Sequence, residues 1–188
     1  MPRWRPDGLE RLQSAALDLF DEQGFDRTTV AEIAQRAGLT QRSFFNHFAD
    51  KREVLFSLSS EFQDRIVAGI AACDASVPPL ATVVLALQGA GEAVFEGERD
   101  TVVRRQRIVE ANPELREREL GKQTVLTAAI AAALRGRGLE PDAALLTAGA
   151  GLLVQETALR AWTRPGESRP LSTFLAEAQE WLRATVAR

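Results

Sequence analysis

The sequence predicts an all-α protein, and three observations carry that prediction. Apolar residues recur at three- and four-residue steps from end to end, and no segment sustains alternation at period two. Helix-start and helix-stop signals also punctuate the chain at regular intervals. About nine helices are expected, the first three forming a small N-terminal domain joined by a long helix to a larger helical one.

The elements follow in order. Leu9, Leu12, Ala16, Leu19 and Phe20 trace the apolar face of the first helix, and Gly24 stops it. Thr29-Val30-Ala31-Glu32 is a capping box, Thr at the N-cap and Glu three residues on, opening a helix over about 29–37. That helix turns Val30, Ile33, Ala34 and Ala37 inward, and Gly38 closes it where a positive φ is cheap. Thr40 can cap a third helix over about 40–46. Asp50-Lys51-Arg52-Glu53 reads as a second capping box, opening a longer helix through Val54, Leu55, Leu58, Phe62 and Ile66. Beyond residue 70 the chain turns rich in Ala, Leu and Val. Breaks at Pro78-Pro79, Asn112-Pro113, Gly136-Arg137-Gly138, Pro141 and Arg164-Pro165-Gly166 divide it into helices 78–97, 100–111, 113–135, 142–163 and 171–186. Asn112 is the expected N-cap before Pro113. The domains are therefore placed at 1–49 and 50–188, with the helix from Asp50 linking them.

Composition removes several classes of function. No run of about 18 apolar residues suggests a membrane span, and the start Met-Pro-Arg-Trp-Arg-Pro leads into no signal-peptide core. One His and one Cys leave no plausible zinc site, and a single cysteine fits a reducing cytoplasm. No phosphate-binding loop occurs. Gly89-Ala90-Gly91 and Gly149-Ala150-Gly151 fall within helical patterns, where small residues let helices pack closely. Cys73 reads as a small buried hydrophobe. No catalytic set, cofactor or metal is expected, so the protein reads as a non-enzyme.

Spacing makes the second and third helices a helix-turn-helix. Ala34 is small where the two must approach, and Phe44 and Phe48, four residues apart, turn inward. Thr40, Gln41, Arg42 and Ser43 then project from the first turn of the third helix, the part that enters a major groove. Gln pairs with adenine and Arg with guanine through two hydrogen bonds each, while Ser and Thr hydroxyls reach bases or phosphates. Overall charge does not announce a DNA-binding domain, since residues 1–56 hold eight Lys/Arg and nine Asp/Glu. Placement matters more than the sum: Arg42, His47, Lys51 and Arg52 gather near the reading helix, while Asp18, Asp21 and Glu22 lie on the first. Arg3 and Arg5 form either a basic arm for the duplex or a solvated terminus.

The stretch from Arg11 to Leu58 carries a resemblance. Its pieces A-x-x-L-F-x-x-x-G-F-x-x-T-T-V, I-A-x-x-A-G-L-T and F-x-x-H-F-x-x-K resemble the DNA-binding segment of the TetR family of transcriptional regulators. One departure is plain: Phe45 stands where the family usually has Tyr, so the phosphate hydrogen bond assigned to that Tyr has no hydroxyl here. The resemblance implies that His47 ends the reading helix facing the DNA backbone, with Lys51 nearby. A His packed between helices is the other reading. The candidate DNA-binding set is Thr29, Thr40, Gln41, Arg42, Ser43, Phe45, His47 and Lys51. The resemblance further implies a cytoplasmic regulator, a repressor or an activator, that binds a palindromic double-stranded operator as a homodimer. A small-molecule effector would release it. A helical adaptor without DNA binding is the rival reading.

Two surfaces of the second domain bear on dimerisation and sensing. Leu145, Gly149, Leu152, Leu153, Leu159 and Trp162, with Phe174, Ala178, Trp181 and Leu182, form two very apolar helices whose copies in a second subunit would complete a four-helix bundle. Phe62, Ile66, Leu87, Phe95, Ile108 and Leu126 line an effector cavity or are ordinary core. Arg104, with Arg105 and Arg107, would meet an anionic headgroup or form a solvated face. The stretch "RRQRIVEANPELRER" resembles an actinobacterial subset near the mycofactocin-system regulators, which implies an effector with an apolar tail such as an acyl-CoA.

Overall fold

The computed structural model describes residues 8–95 and 97–186, so the predicted basic arm at Arg3 and Arg5 lies outside the described residues. The described residues form α1 (Gly8–Gln23), α2 (Val30–Arg36), α3 (Gln41–Phe45), α4 (Ser59–Ala72), α5 (Pro79–Phe95), α6 (Arg99–Ala111), α7 (Pro113–Gly136), α8 (Pro141–Trp162) and α9 (Leu171–Val186). A short 3-10 helix, Glu53–Phe56, precedes α4, and no strand occurs among the described residues. The fold is all-α, with an N-terminal helix-turn-helix and a C-terminal helical domain. None of the described helices is by itself long and apolar enough to cross a membrane.

The chain divides into two compact units. The first holds residues 1–57 together with 100–118; the second holds 58–99 and 119–188. Leu12, Ala16 and Phe20 of α1, Ile33 of α2 and Phe44 of α3 are buried together with Val54, Leu55 and Phe56. Ile108 and Val109 of α6 and Leu115 of α7 complete that cluster. The 100–118 segment thus adds a layer to the core of the first three helices.

Arginines fasten this layer. Arg104 donates to Asp18 at 2.8 Å and to Asp21 at 2.6 Å, and Arg107 donates to Asp21 at 2.6 Å. Arg105 donates to the Leu55 carbonyl at 2.7 Å and lies over the Phe56 ring. Arg118 pairs with Glu53, and Arg52 bridges Asp50 and Glu114. The Arg52 guanidinium holds the Asp50 carboxyl below the usual carboxylate range.

The long helix expected from Asp50 is interrupted. Asp50 Oδ1 does accept from the backbone N–H groups of Arg52 and Glu53, but α4 begins only at Ser59. In a continuous α-helix the Val54 and Leu55 carbonyls would accept from residues 58 and 59. Here the Ser57 hydroxyl donates to Val54 O and Arg105 donates to Leu55 O, so both carbonyls have side-chain partners. Asn112 also differs from expectation. Its side-chain amide donates backwards to Ile108 O at 2.6 Å, closing α6.

In the second unit α5 packs against α4, α8 and α9, and α8 against α9. The glycines show why some helix pairs come so close. A Cβ on Gly69 would lie 3.1 Å from Ala86 Cβ, and one on Gly151 would clash with Val83 Cγ1. Gly149, two residues away, faces open space instead. Arg137 closes α4 by donating to the carbonyls of Ile70, Cys73 and Asp74. Cys73 is half-buried rather than a core residue.

Candidate nucleic-acid interface

Each part of the helix-turn-helix has a local cause. The capping box at Thr29 is complete: Thr29 Oγ1 accepts from Glu32 N at 3.2 Å, and the Glu32 carboxylate accepts from Thr29 N at 2.8 Å. Donation from the Thr29 hydroxyl and amide holds the Glu32 carboxyl below its usual range. Gly38 turns the chain at φ 65°, and Leu39 N donates to Ala34 O at 2.8 Å. Arg11 reaches from α1 to donate to the Ala37 and Gly38 carbonyls, fixing the turn against α1. Thr40 then caps α3, accepting from Ser43 N at 3.1 Å, with the two hydroxyls 2.9 Å apart.

Phe44 is fully buried and packs on Phe48 at 5.3 Å between ring centroids, which pins α3 to the core. The outer face of α3 is left for other partners. Gln41 and Arg42 are exposed, and neither side chain has a hydrogen-bonding partner among the described residues. Phe45 is exposed beside them. His47 is exposed too, so it is not packed between helices, and it lies near the start of α1, 3.7 Å from where a Gly8 Cβ would be. Thr40, Gln41, Arg42, Phe45 and His47 thus share one exposed end of the unit, with half-buried Ser43 beside them. Thr29 is exposed, but its hydroxyl is engaged in the capping box.

Lys51 has a different environment from the one expected. Its ammonium donates to the carbonyls of Phe25 at 2.7 Å, Thr28 at 3.0 Å and Asp26 at 3.2 Å, and lies 4.3 Å from the Phe25 ring centroid. An ammonium has three hydrogens, and the α1–α2 loop offers an acceptor for each. Thr28 anchors the same loop from inside, donating to Gly24 O at 2.8 Å.

The acids on α1 that weighed against DNA binding are matched. Glu22 takes Arg36 in a two-bond fork at 2.8 and 2.7 Å, and Asp18 and Asp21 take Arg104 and Arg107. Arg11, Arg36 and the α6 arginines were not singled out for these roles. Local sequence offers no signal for them, because each acts across 14 to 86 positions of chain.

The expected effector residues fall in both units. Phe62, Ile66 and Leu87 are buried in the second unit, where Phe62 and Phe95 rings stand 5.1 Å apart, and Leu126 is half-buried on α7. Arg104 and Ile108 belong to the first unit, and the charge of Arg104 is already met by two aspartates. A separate open groove of about 450 Å³ lies between α4 and α5, lined by Arg65, Ala68, Cys73 and Leu85 among others, and shares none of the expected residues. Of the apolar residues placed at an interface, Trp162, Phe174 and Ala178 are buried within the second unit. Leu145, Leu153 and Trp181 are exposed, with Gly149 exposed between the two leucines and Leu152, Leu159 and Leu182 half-buried.

A short helix set on a glycine turn and pinned by a buried ring, with polar side chains outward that have no partner among the described residues, is a helix-turn-helix arrangement. Residues 12–58 match the bacterial regulatory proteins of the tetR family. Over 141 residues the chain is 31% identical to the HTH-type transcriptional regulator TcmR of Streptomyces glaucescens, a match covering 71% of this chain and 62% of TcmR. It therefore spans less than two thirds of that relative's length. The fold is shared with FadR of Bacillus subtilis in complex with stearoyl-CoA (TM-score 0.61, 18% identity, 92% of this chain and 96% of that one). It is also shared with the TetR-family repressor FadR of Thermus thermophilus in complex with lauroyl-CoA (TM-score 0.54, 21% identity, 93% and 92%). The N-terminal segment is of the tetR family, and the chain has the fold of TetR-family regulators.

Proposed function

We propose that this chain is a ligand-responsive transcriptional repressor, acting in the cytoplasm, that binds a palindromic duplex as a homodimer and is released by a small effector. The observation that carries the DNA half is the outer face of α3. The Gln41 and Arg42 side chains stand exposed, without partners among the described residues, while the residues around them are fixed by caps, turn and core. The backbone that carries them is already fixed, so binding has to order only the two side chains. The DNA-binding unit we assign is residues 1–57 with 100–118, larger than the 1–49 expected from sequence.

The dimer half rests on Leu145, Gly149 and Leu153, at four-residue spacing along one face of α8, and on Trp181 of α9. A second copy would cover these residues and supply the second reading helix that a palindrome requires. The effector half is supported by the acyl-CoA-bound FadR structures of the same fold and by the apolar interior of the second unit. The chain passes between the units three times, at 57–58, 99–100 and 118–119. An effector that prefers one arrangement of the second unit can therefore bias the first through covalent connections alone. No catalytic step is part of the proposal.

Selection of a duplex from a random library, followed by titration, tests the reading. Arg42→Ala is expected to weaken the selected duplex by about 1–3 kcal/mol and to relax base preference at one position per half-site. Equal loss on every sequence would remove Arg42 from base readout. Failure of the wild-type chain to retain any duplex would favour the adaptor reading. A palmitoyl-CoA titration with and without the duplex tests the effector: the operator must weaken the ligand by the factor by which the ligand weakens the operator. Equal ligand affinity in both titrations would make the second unit a passive dimer module for that ligand.

A further inference from the structure

We propose that Phe45 reads the 5-methyl group of a thymine, an assignment that rests on α3 entering a major groove as argued above. The ring is 55% exposed, although it sits in the middle of the candidate interface. It is not a loose side chain. It meets the buried Phe44 ring edge-on, with centroids 5.5 Å apart and planes at 84°. Phe44 is itself fully buried, so Phe45 leans on a fixed wall.

Its place on the helix gives the exposure a meaning. Phe45 is four residues from Gln41 and three from Arg42, so the ring shares their face of α3. A side chain there meets base edges whenever Gln41 and Arg42 do. Phenylalanine has no hydrogen-bonding group, so it can read neither a donor nor an acceptor, and it cannot bond a phosphate. The apolar feature that the major groove of unmodified DNA displays is the thymine 5-methyl group. An exposed ring beside two polar reading residues matches that feature in chemistry as well as position. The half-site thus has three readouts of different kinds: an amide, a guanidinium and an apolar surface.

Deoxyuridine gives a direct test, because it pairs as thymidine does and lacks only the methyl. The strongest duplex selected by the wild-type chain is resynthesised with each thymine replaced singly by deoxyuridine. At one thymine per half-site the replacement is expected to weaken the wild-type chain about three- to fivefold, the amount that burying one methyl group contributes. Phe45→Ala should lose a similar factor on the thymine duplex and show no further loss on the deoxyuridine duplex, the non-additivity expected of a contacting pair. Phe45→Tyr keeps the ring and should keep the sensitive position. Wild-type binding that is indifferent to every replacement overturns the assignment. So does a Phe45→Ala chain that suffers the same deoxyuridine penalty as wild type. Retention of no duplex at all would overturn the DNA reading beneath it, an outcome distinct from either of these.

Discussion

Leu153→Glu and Trp181→Glu are each expected to turn the proposed dimer into a folded monomer and to lower affinity for the selected duplex by about a hundredfold or more. Within one copy both side chains are more than half exposed, at 55% and 56%, so a carboxylate at either site is solvated and the helices are undisturbed. In the proposed dimer the same positions lose their water. An unpaired charge buried this way costs several kcal/mol, and two-fold symmetry applies the change on both sides. Each 1.4 kcal/mol is about tenfold in an equilibrium. Circular dichroism should show unchanged helicity, while sedimentation shows a halved mass and duplex binding falls. Trp162→Glu is the contrasting case: Trp162 is buried within its own unit, so that variant should unfold the second unit. A Leu153→Glu chain that remained dimeric with normal duplex affinity would place the interface on another face.

Lys51→Ala is expected to destabilise the helix-turn-helix unit by about 2–3 kcal/mol. It should weaken DNA binding without flattening the salt dependence. The ammonium ties three carbonyls of the α1–α2 loop at once. Hydrogen bonds to a charged group contribute about 1.5–3 kcal/mol each, and solvent screening at the partly exposed Lys51 brings the total well below the sum of three. A lysine that met phosphate would instead change the slope of log affinity against log salt by about 0.9. The two roles therefore separate in one measurement. An unchanged slope with faster amide exchange in α2 supports the clamp. A reduced slope with unaltered stability would restore the phosphate contact.

Lys51 also illustrates what sequence can and cannot say. Its place next to the third helix was legible, because the spacing from Thr29 through Gly38 to Phe48 sets out a helix-turn-helix from local chemistry alone. Its partners were not, since the carbonyls of Phe25, Asp26 and Thr28 become neighbours only when α1, the loop and residue 51 meet in three dimensions. Arg104 shows the same limit. As a charge run on a helix it suited an anionic ligand equally well, until folding brought Asp18 and Asp21 within 2.8 Å. The break before α4 was hidden for a related reason, because one of the side chains that ends the turn there is Arg105, fifty positions away.

Short-range physics governs the features that the chain shows without its fold. The helical period, the cap at Thr29, the cap at Thr40, the turn at Gly38 and the inward rings of Phe44 and Phe48 depend on neighbours within a few residues. Those interactions are the same in any context that lets the helix form. Tertiary structure alone decided which charges remain available to a partner, and which apolar residues face outward. The helix pattern of α8 and α9 marks Trp162 and Trp181 alike as apolar; packing buries the first and leaves the second exposed. Likewise 100–118 joins the first unit rather than the second, because its apolar residues and arginines complete a core and satisfy acids that three short helices leave open. Such choices depend on surfaces meeting across long stretches of chain, and no local pattern records them.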